Sequence, residues 1–359
     1  MIYRNKFYIF AILILLFFFI GYKFKKNAKI LDVKNNKYSL KKRGTESPIL
    51  LLHEVYWIEK ENAFVGANYF SKDIIKFDIK GNVIKTYNSN NKDKIESILS
   101  LNYENKKFYL MDNQKHKILV INENLELIAS FIVRESYETY ICGNENNIYS
   151  FGNRTKPLNE KNFIGRKFFC NSDNIFISDK NFLPVIHSKN VGSFCIPNYK
   201  GKMLKNKIYL FSGYLPYIIV YNIEDDTFKK EKIKFPGFKN PESINFSEFQ
   251  KKYGDKHYPM RFFCYQPIKI IYLDNYKKWL IQYRIPLQFQ KDNKLLTVLF
   301  DRKFKFEKKF ISNYEILSDF TENEQPKLLV TNYCEWWKDG YPKKSYLNII
   351  DLKKLLEGK

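Results

Sequence analysis

Histidine is almost missing from this chain: there are four in 359 residues, His53, His116, His187 and His257, each in a separate context. No H-x-H or H-E-x-x-H spacing occurs, which excludes the common zinc motifs, and neither a G-x-S-x-G elbow nor a Walker loop is present. Cysteine is scarce as well. Cys142, Cys170, Cys195, Cys264 and Cys334 form no C-x-x-C pair, and their odd number indicates neither a metal knuckle nor a disulfide framework. Most lie in apolar, strand-like contexts and are expected to be buried thiols; one disulfide in an oxidising compartment stays open. No metal or other cofactor is indicated. Acidic residues are outnumbered, 38 Asp+Glu against 61 Lys+Arg, for a net charge of +23. An anionic partner such as nucleic acid, acidic polysaccharide or lipid headgroups is one reading of that balance. The lysines are spread along the whole chain without forming a block, and Lys, Asn, Ile, Phe and Tyr are enriched together. Compositional bias is therefore the favoured reading, and nucleic acid is not the expected partner.

What the sequence does contain is a repeat. In ENKKFYLMDNQKHKILVINENLELIASF (residues 105–131) three short apolar strands are separated by polar turns. Shifted back by 44 positions, Phe77-Asp78 falls on Ile121-Asn122 and Phe64-Val65 on Phe108-Tyr109 without a gap. Shifted forward by 100, Ile208-Tyr-Leu-Phe meets Phe108-Tyr-Leu-Met and Ile218-Ile-Val-Tyr-Asn meets Ile118-Leu-Val-Ile-Asn. Weaker copies begin near residues 147, 279 and 327, making six units. Each unit is preceded by a further short apolar strand: residues 55–58, 98–101, 139–142, 200–204, 270–273 and 315–320. Four antiparallel strands per unit, repeated radially, describe a blade, so the expected fold is an all-β six-bladed β-propeller of four-stranded blades.

The pattern Phe-Tyr-Leu-Met-Asp112-Asn-x-x-His116-Lys-Ile-Leu-Val-Ile-Asn resembles the unit of NHL-type and TolB-like six-bladed propellers. The resemblance spans about residues 47–351 and is specific in the first two units; most of the family's turn glycines are replaced here by Asn, Lys and Glu, with Gly81 an exception. It implies the fold and leaves the activity open, since propellers host many functions. It also admits a sugar dehydrogenase, a lactonase or an RNA-binding protein.

One long hydrophobic run stands at the start. Residues 7–22, FYIFAILILLFFFIGY, carry no charge and are flanked by Arg4 and Lys6 and by Lys23, Lys25 and Lys26. No A-x-A site ends the run and no lipidation cysteine follows it. An uncleaved signal anchor is expected over residues 1–28, with a cleaved signal second and the propeller (29–359) outside the cytoplasm. Lys23, Lys25, Lys26 and Lys29 would then face the headgroups. The last unit stops at its third strand near residues 348–352, so a strand within residues 30–40 is expected to complete it, because an unpaired edge is a liability. A short helical insertion is expected near residues 240–254, with Pro241 at its start and Gly254 at its end. Residues 172–197 read as irregular connection except for one strand at 174–178.

Loops between second and third strands, and between blades, emerge on one face. Those at 153–165, 212–217, 284–294 and 332–344 are longer than a turn requires. They carry Arg154, Tyr214, Arg284, Glu335, Trp336, Trp337 and Tyr341, residue types suited to gripping a protein, peptide or glycan ligand. For the tryptophans a structural use, plugging the ring or packing on a blade, competes with ligand stacking, and Asp112 and His116 read as turn residues as readily as catalytic ones. A membrane-tethered binding or scaffold module is the leading functional expectation. An enzyme, hydrolase or quinone-dependent oxidoreductase, working in the axial channel is its rival; three or more carboxylate and amide side chains converging there would favour it.

Overall fold

The computed structural model describes residues 29–31, 38–39, 52–68, 72–87, 94–133, 137–153, 163–170, 176–184, 199–213, 217–238, 251, 264–286, 294–332 and 346–357. Two short strands come first, β1 (Lys29–Leu31) and β2 (Tyr38–Ser39). Blade 1 follows as β3 (Leu52–Ile58), β4 (Ala63–Asn68), β5 (Asp73–Asp78) and β6 (Val83–Thr86). Blade 2 is β7 (Ile98–Glu104), β8 (Lys107–Asp112), β9 (Lys117–Asn122) and β10 (Leu127–Ile132). Blade 3 is β11 (Tyr137–Gly143), β12 (Asn147–Asn153), β13 (Phe163–Cys170) and β14 (Phe176–Pro184). Blade 4 is β15 (Lys200–Leu204), β16 (Lys207–Phe211), β17 (Tyr217–Asn222) and β18 (Thr227–Lys232). Blade 5 is β19 (Gln266–Leu273), β20 (Lys278–Arg284), β21 (Leu295–Asp301) and β22 (Phe306–Ser312). Blade 6 is β23 (Tyr314–Glu322), β24 (Gln325–Asn332) and β25 (Tyr346–Asp351), followed by the helix α1 (Leu352–Glu357).

The burial of each strand explains its composition. Second strands such as β4 are buried along their whole length and read as continuous apolar runs, while the outer strand β18 is almost wholly exposed and reads TFKKEK. Neighbouring blades share their cores. Six apolar clusters alternate with the six sheets, and the one joining blade 6 to blade 1, around Phe64, Phe77, Phe320, Leu329 and Leu347, closes the circle. The six-bladed, four-stranded expectation holds.

Scarce glycine is compensated at the turns. The two-residue hairpins Asn105-Lys106 and Asn323-Glu324 hold both residues at positive φ, between 49° and 62°, the type I′ geometry that matches strand twist. Third strands end on a carboxylate or amide that accepts from the following turn: Asp78 from the backbone N–H of Lys80 and Asn82, Asn122 from Glu126, and Asp301 from Lys303 and Lys305. Asp351 does the same for Lys354 in α1. Asp112, fully buried, accepts from the backbone N–H of Glu96, Ser97, Gln114 and Lys115, which settles its role as a turn organiser.

Closure follows the expectation and adds to it. β2 pairs antiparallel with β25, Tyr38 opposite Leu347, and supplies the missing outer strand of blade 6. β1, a few residues earlier, adds a fifth strand to blade 5 in parallel with β22. In blade 3 the strand expected at 174–178 runs later and longer, from Phe176 to Pro184. The segments expected as a membrane anchor and, nearly all of it, as a helical insertion lie outside the described residues; among the described residues no helix is long and apolar enough to cross a membrane.

Candidate functional site

The innermost strands β3, β7, β11, β15, β19 and β23 surround the axis. Five of them carry a β-bulge in their upper half, near the loop face: between His53 and Val55, Ile98 and Ser100, Glu138 and Tyr140, Pro267 and Lys269, and Ile316 and Ser318. A bulge inserts a residue and re-aims its neighbours. In β3 the inserted residue is Glu54, held at φ 44°, a left-handed conformation unusual for a glutamate. β15 pairs with β16 in unbroken register, and there Gly201 leaves room for the Tyr140 ring, which an added Cβ would strike.

The axial cavity has a volume of about 170 Å³ and is lined by charged groups of both signs, Glu54, Lys200, Lys202, Lys269 and Asp319 among them. Its ion pairs reach across the ring instead of along one blade. Lys200 of blade 4 pairs with Glu54 of blade 1, Lys269 of blade 5 approaches the same carboxylate at 3.9 Å, and Lys202 of blade 4 lies 3.3 Å from Glu104 of blade 2. A neutral chain joins them: Tyr56 Oη donates to the Leu101 carbonyl (2.9 Å) and Asn102 Oδ1 (3.0 Å), and Asn102 Nδ2 donates to Tyr140 Oη (3.2 Å). The Lys269 ammonium stands 5.2 Å from the centroid of the Tyr56 ring.

Enclosure shifts the protonation of these groups. Burial lowers the Lys269 pKa, with Glu54 opposing and Lys200 reinforcing the shift. Burial raises Glu104, against the pull of Lys202. Asp319 is likewise raised, by the protein that surrounds it, although it stays open to water in the channel; Lys202 and Lys269 oppose the shift. Its carboxylate has no ion pair and no side-chain partner among the described residues. Towards the face of the first-to-second-strand turns the channel widens into a mouth of about 390 Å³, where Tyr56, Tyr103, Tyr276, Asp274, Asp319 and Lys202 meet.

Of the ligand-gripping residues expected from the sequence, Arg284 is described. It ends β20 on the loop face, half-buried, and its buried Nε has no hydrogen-bond partner among the described residues. Arg154, Tyr214, Glu335, Trp336, Trp337 and Tyr341 lie outside the described residues, as do Lys23, Lys25 and Lys26, and Lys29 is placed only as the first residue of β1. The channel groups escaped sequence reasoning. Their one signal was a lone charge interrupting an apolar inner strand, as in Pro-Ile-Lys269-Ile-Ile and Ile-Leu-Ser-Asp319-Phe. Among the described residues no cluster of His, Cys, Asp and Glu is arranged to hold a metal ion.

No protein-family model matches the chain, and no curated protein matches it. Among solved structures it is similar to a candidate exported protein of Bacteroides fragilis, with a TM-score of 0.57 and 9% identity over 90% of this chain and 98% of that one. It is also similar to a member of the DUF4221 family from Bacteroides vulgatus, with a TM-score of 0.55 and 10% identity over 90% of this chain and 99% of that one. At such identities the likeness is one of fold.

Proposed function

We propose that this protein is an extracytoplasmic binding module, tethered to a membrane by residues 7–22, that receives its ligand on the axis of the ring. One observation carries the reading. Glu54, Lys200, Lys202 and Lys269 converge from opposite blades, Lys269 desolvated and the others partly enclosed, and Asp319 is left without a partner among the described residues. Burying charge is costly, and a ring of this size could have closed its axis with apolar side chains instead. The loop face with Arg284, Trp336 and Trp337 would form the rim through which a protein, peptide or glycan reaches that axis. Kinship with NHL-type and TolB-like proteins is part of the same proposal. Export is supported by the apolar run, and the similar fold in a candidate exported protein accords with it.

The purified full-length chain, screened on glycan and peptide arrays, tests the reading. Binding should fall about tenfold or more in a Glu54→Gln/Lys200→Met double variant of unchanged melting temperature. Hits that survive those changes would refute an axial site. A second double variant, Trp336→Ala/Trp337→Ala, asks whether the rim contributes. Alkaline phosphatase fused after Lys359 should be active; inactivity would place the ring in the cytoplasm and revive an RNA partner.

A second reading, an enzyme in the channel, has its own support. Glu54, Asp319 and the amide of Asn102 line the axial cavity, Glu104 stands behind Lys202, and burial pushes both Glu104 and Asp319 towards the proton-holding form expected of a general acid. Both glutamates, however, are engaged by lysines.

A further inference from the structure

One level of the channel gathers four ionisable groups from four blades. Counting rungs up from the hairpin that joins first and second strands, Lys200 (opposite Phe211) and Lys269 (opposite Gln282) stand on the fifth. Asp319 (opposite Leu328) stands on the fourth, and Glu54 is inserted between the fourth and fifth, beside Gly66 and Ala67. All four line the axial cavity. Lys269 and Asp319 come from blades 5 and 6, which pack against each other through a shared apolar cluster.

Within this group Lys269 is the amine least tied down. Lys200 closes on one oxygen of Glu54, whereas Lys269 Nζ lies 3.9 Å from the other, beyond hydrogen-bond reach. Nζ donates no hydrogen bond among the described residues, although the residue is nine-tenths buried; it faces the Tyr56 ring instead. The two other buried lysines differ. Lys76 Nζ donates to the Glu123 carbonyl (3.0 Å) and pairs with Glu61, and Lys309 Nζ donates to the Pro236 carbonyl (3.2 Å). Those are the satisfied lysines expected of a folded interior, and Lys269 is not one of them. Loss of hydration and a second ammonium nearby are the two conditions that turn a lysine from a cation into a nucleophile. Both act here: burial lowers the Lys269 pKa, Lys200 lowers it further, and Glu54, Asp319 and Glu315 oppose them. Asp319, open to the channel, holds its proton more firmly than an ordinary aspartate.

Resting on the axial-site reading above, we propose that Lys269 is the nucleophile of a carbonyl-binding site, condensing with a small hydroxylated aldehyde to form an imine, with Asp319 as proton donor. Lys269 first loses a proton to water. Its lone pair then attacks the carbonyl carbon, forming the C–N bond while the C=O π pair moves to oxygen, which takes the Asp319 proton. The nitrogen returns a proton to Asp319, and Asp319 passes it to the hydroxyl as the C–O bond breaks and water leaves. A protonated imine remains, flanked by the carboxylates of Asp319 and Glu54, and no oxidant or reductant is consumed. The rest of the lining includes Ser100, Asn102 and Lys202, polar groups that suit the open-chain form of a short aldose better than an apolar aldehyde.

Glyceraldehyde tests the inference on the full-length protein at pH 7, with sodium cyanoborohydride to trap the imine as a secondary amine and peptide mass mapping to locate it. Lys269 should be labelled about tenfold faster than the exposed Lys229 and Lys277, an advantage that vanishes in urea and is smaller with propanal. Asp319→Asn should slow labelling of Lys269 by about tenfold or more without affecting the two exposed lysines. Lys269→Arg should abolish the fast adduct, and melting temperatures establish that both variants are folded. Labelling of Lys269 no faster than that of the exposed pair, equal advantage with propanal, or indifference to Asp319→Asn would overturn the inference. Array hits that are lost in Glu54→Gln/Lys200→Met, with no fast adduct at Lys269, would do so while leaving the axial site standing. No fast adduct, combined with array hits indifferent to those changes, would remove both.

Discussion

Lys269 shows most plainly what the channel costs. It is nine-tenths buried, shares Glu54 with Lys200, and has its pKa lowered first by loss of hydration. The unfolded chain, with an ordinary lysine near 10.4, takes up the proton before the folded one as pH falls. Stability is therefore lost as pH descends from about 10.4 through the folded value, and the penalty is complete only below that value. Lys269→Met should raise stability at pH 7 by about 1 kcal/mol, as replacing buried ions with apolar groups often does. The gain, read from urea unfolding, should shrink towards pH 10. A loss at pH 7 would mean that the attraction to Glu54 outweighs the burial. Asp319 behaves in the opposite sense: its raised pKa makes the folded state bind a proton more readily, so its penalty eases on acidification. None of this was legible beforehand. A single lysine among isoleucines looks like an edge residue until the opposite blade is known.

At the scale of elements, sequence and structure agree closely. The inner strands expected at 55–58, 98–101, 139–142, 200–204, 270–273 and 315–320 all lie within observed strands. Period and apolar runs suffice for that, because both are local properties of the chain. The loss of an outer strand from blade 6 was also readable, as a unit that stopped one strand short. The parallel addition of β1 to β22 was not, since three residues on a sheet edge leave no pattern of their own. The bulges were equally silent, though they decide which side chains meet on the axis. β1 and β2 together bind blades 5 and 6 to one segment, which gives the clasp a measurable weight. Ile30→Pro combined with Ser39→Pro removes ladder donors from both strands and should lower the melting temperature by about 2 °C or more. Lys34→Pro, between the strands, serves as the control. Equal melting of the two variants would show that the clasp contributes nothing.

Seen whole, the molecule carries a strong positive charge whose lysines are used in two ways. On outer strands they guard free edges, as Lys229, Lys230 and Lys232 do in β18, a common defence against edge-to-edge pairing. Blade 2 lacks that defence. Its outer strand β10 reads LIASFI, pairs among the described residues only with β9, and leaves Leu127, Ile128 and Ile132 exposed, Ile132 by 70%. Ile132→Lys should therefore reduce self-association at high protein concentration, measured by light scattering, without lowering the melting temperature. Undiminished scattering would show that the edge is harmless.

The shared sheet of blade 6 also sets an order of events in synthesis. Tyr38 and Ser39 leave the ribosome about 300 residues before the strand that seats them, Tyr346–Asp351. A nascent chain can stack its first blades as they emerge but has to wait for that strand before the circle shuts. A message truncated before codon 346 would release a product with two open flanks, a form that quality-control proteases can distinguish from the finished ring.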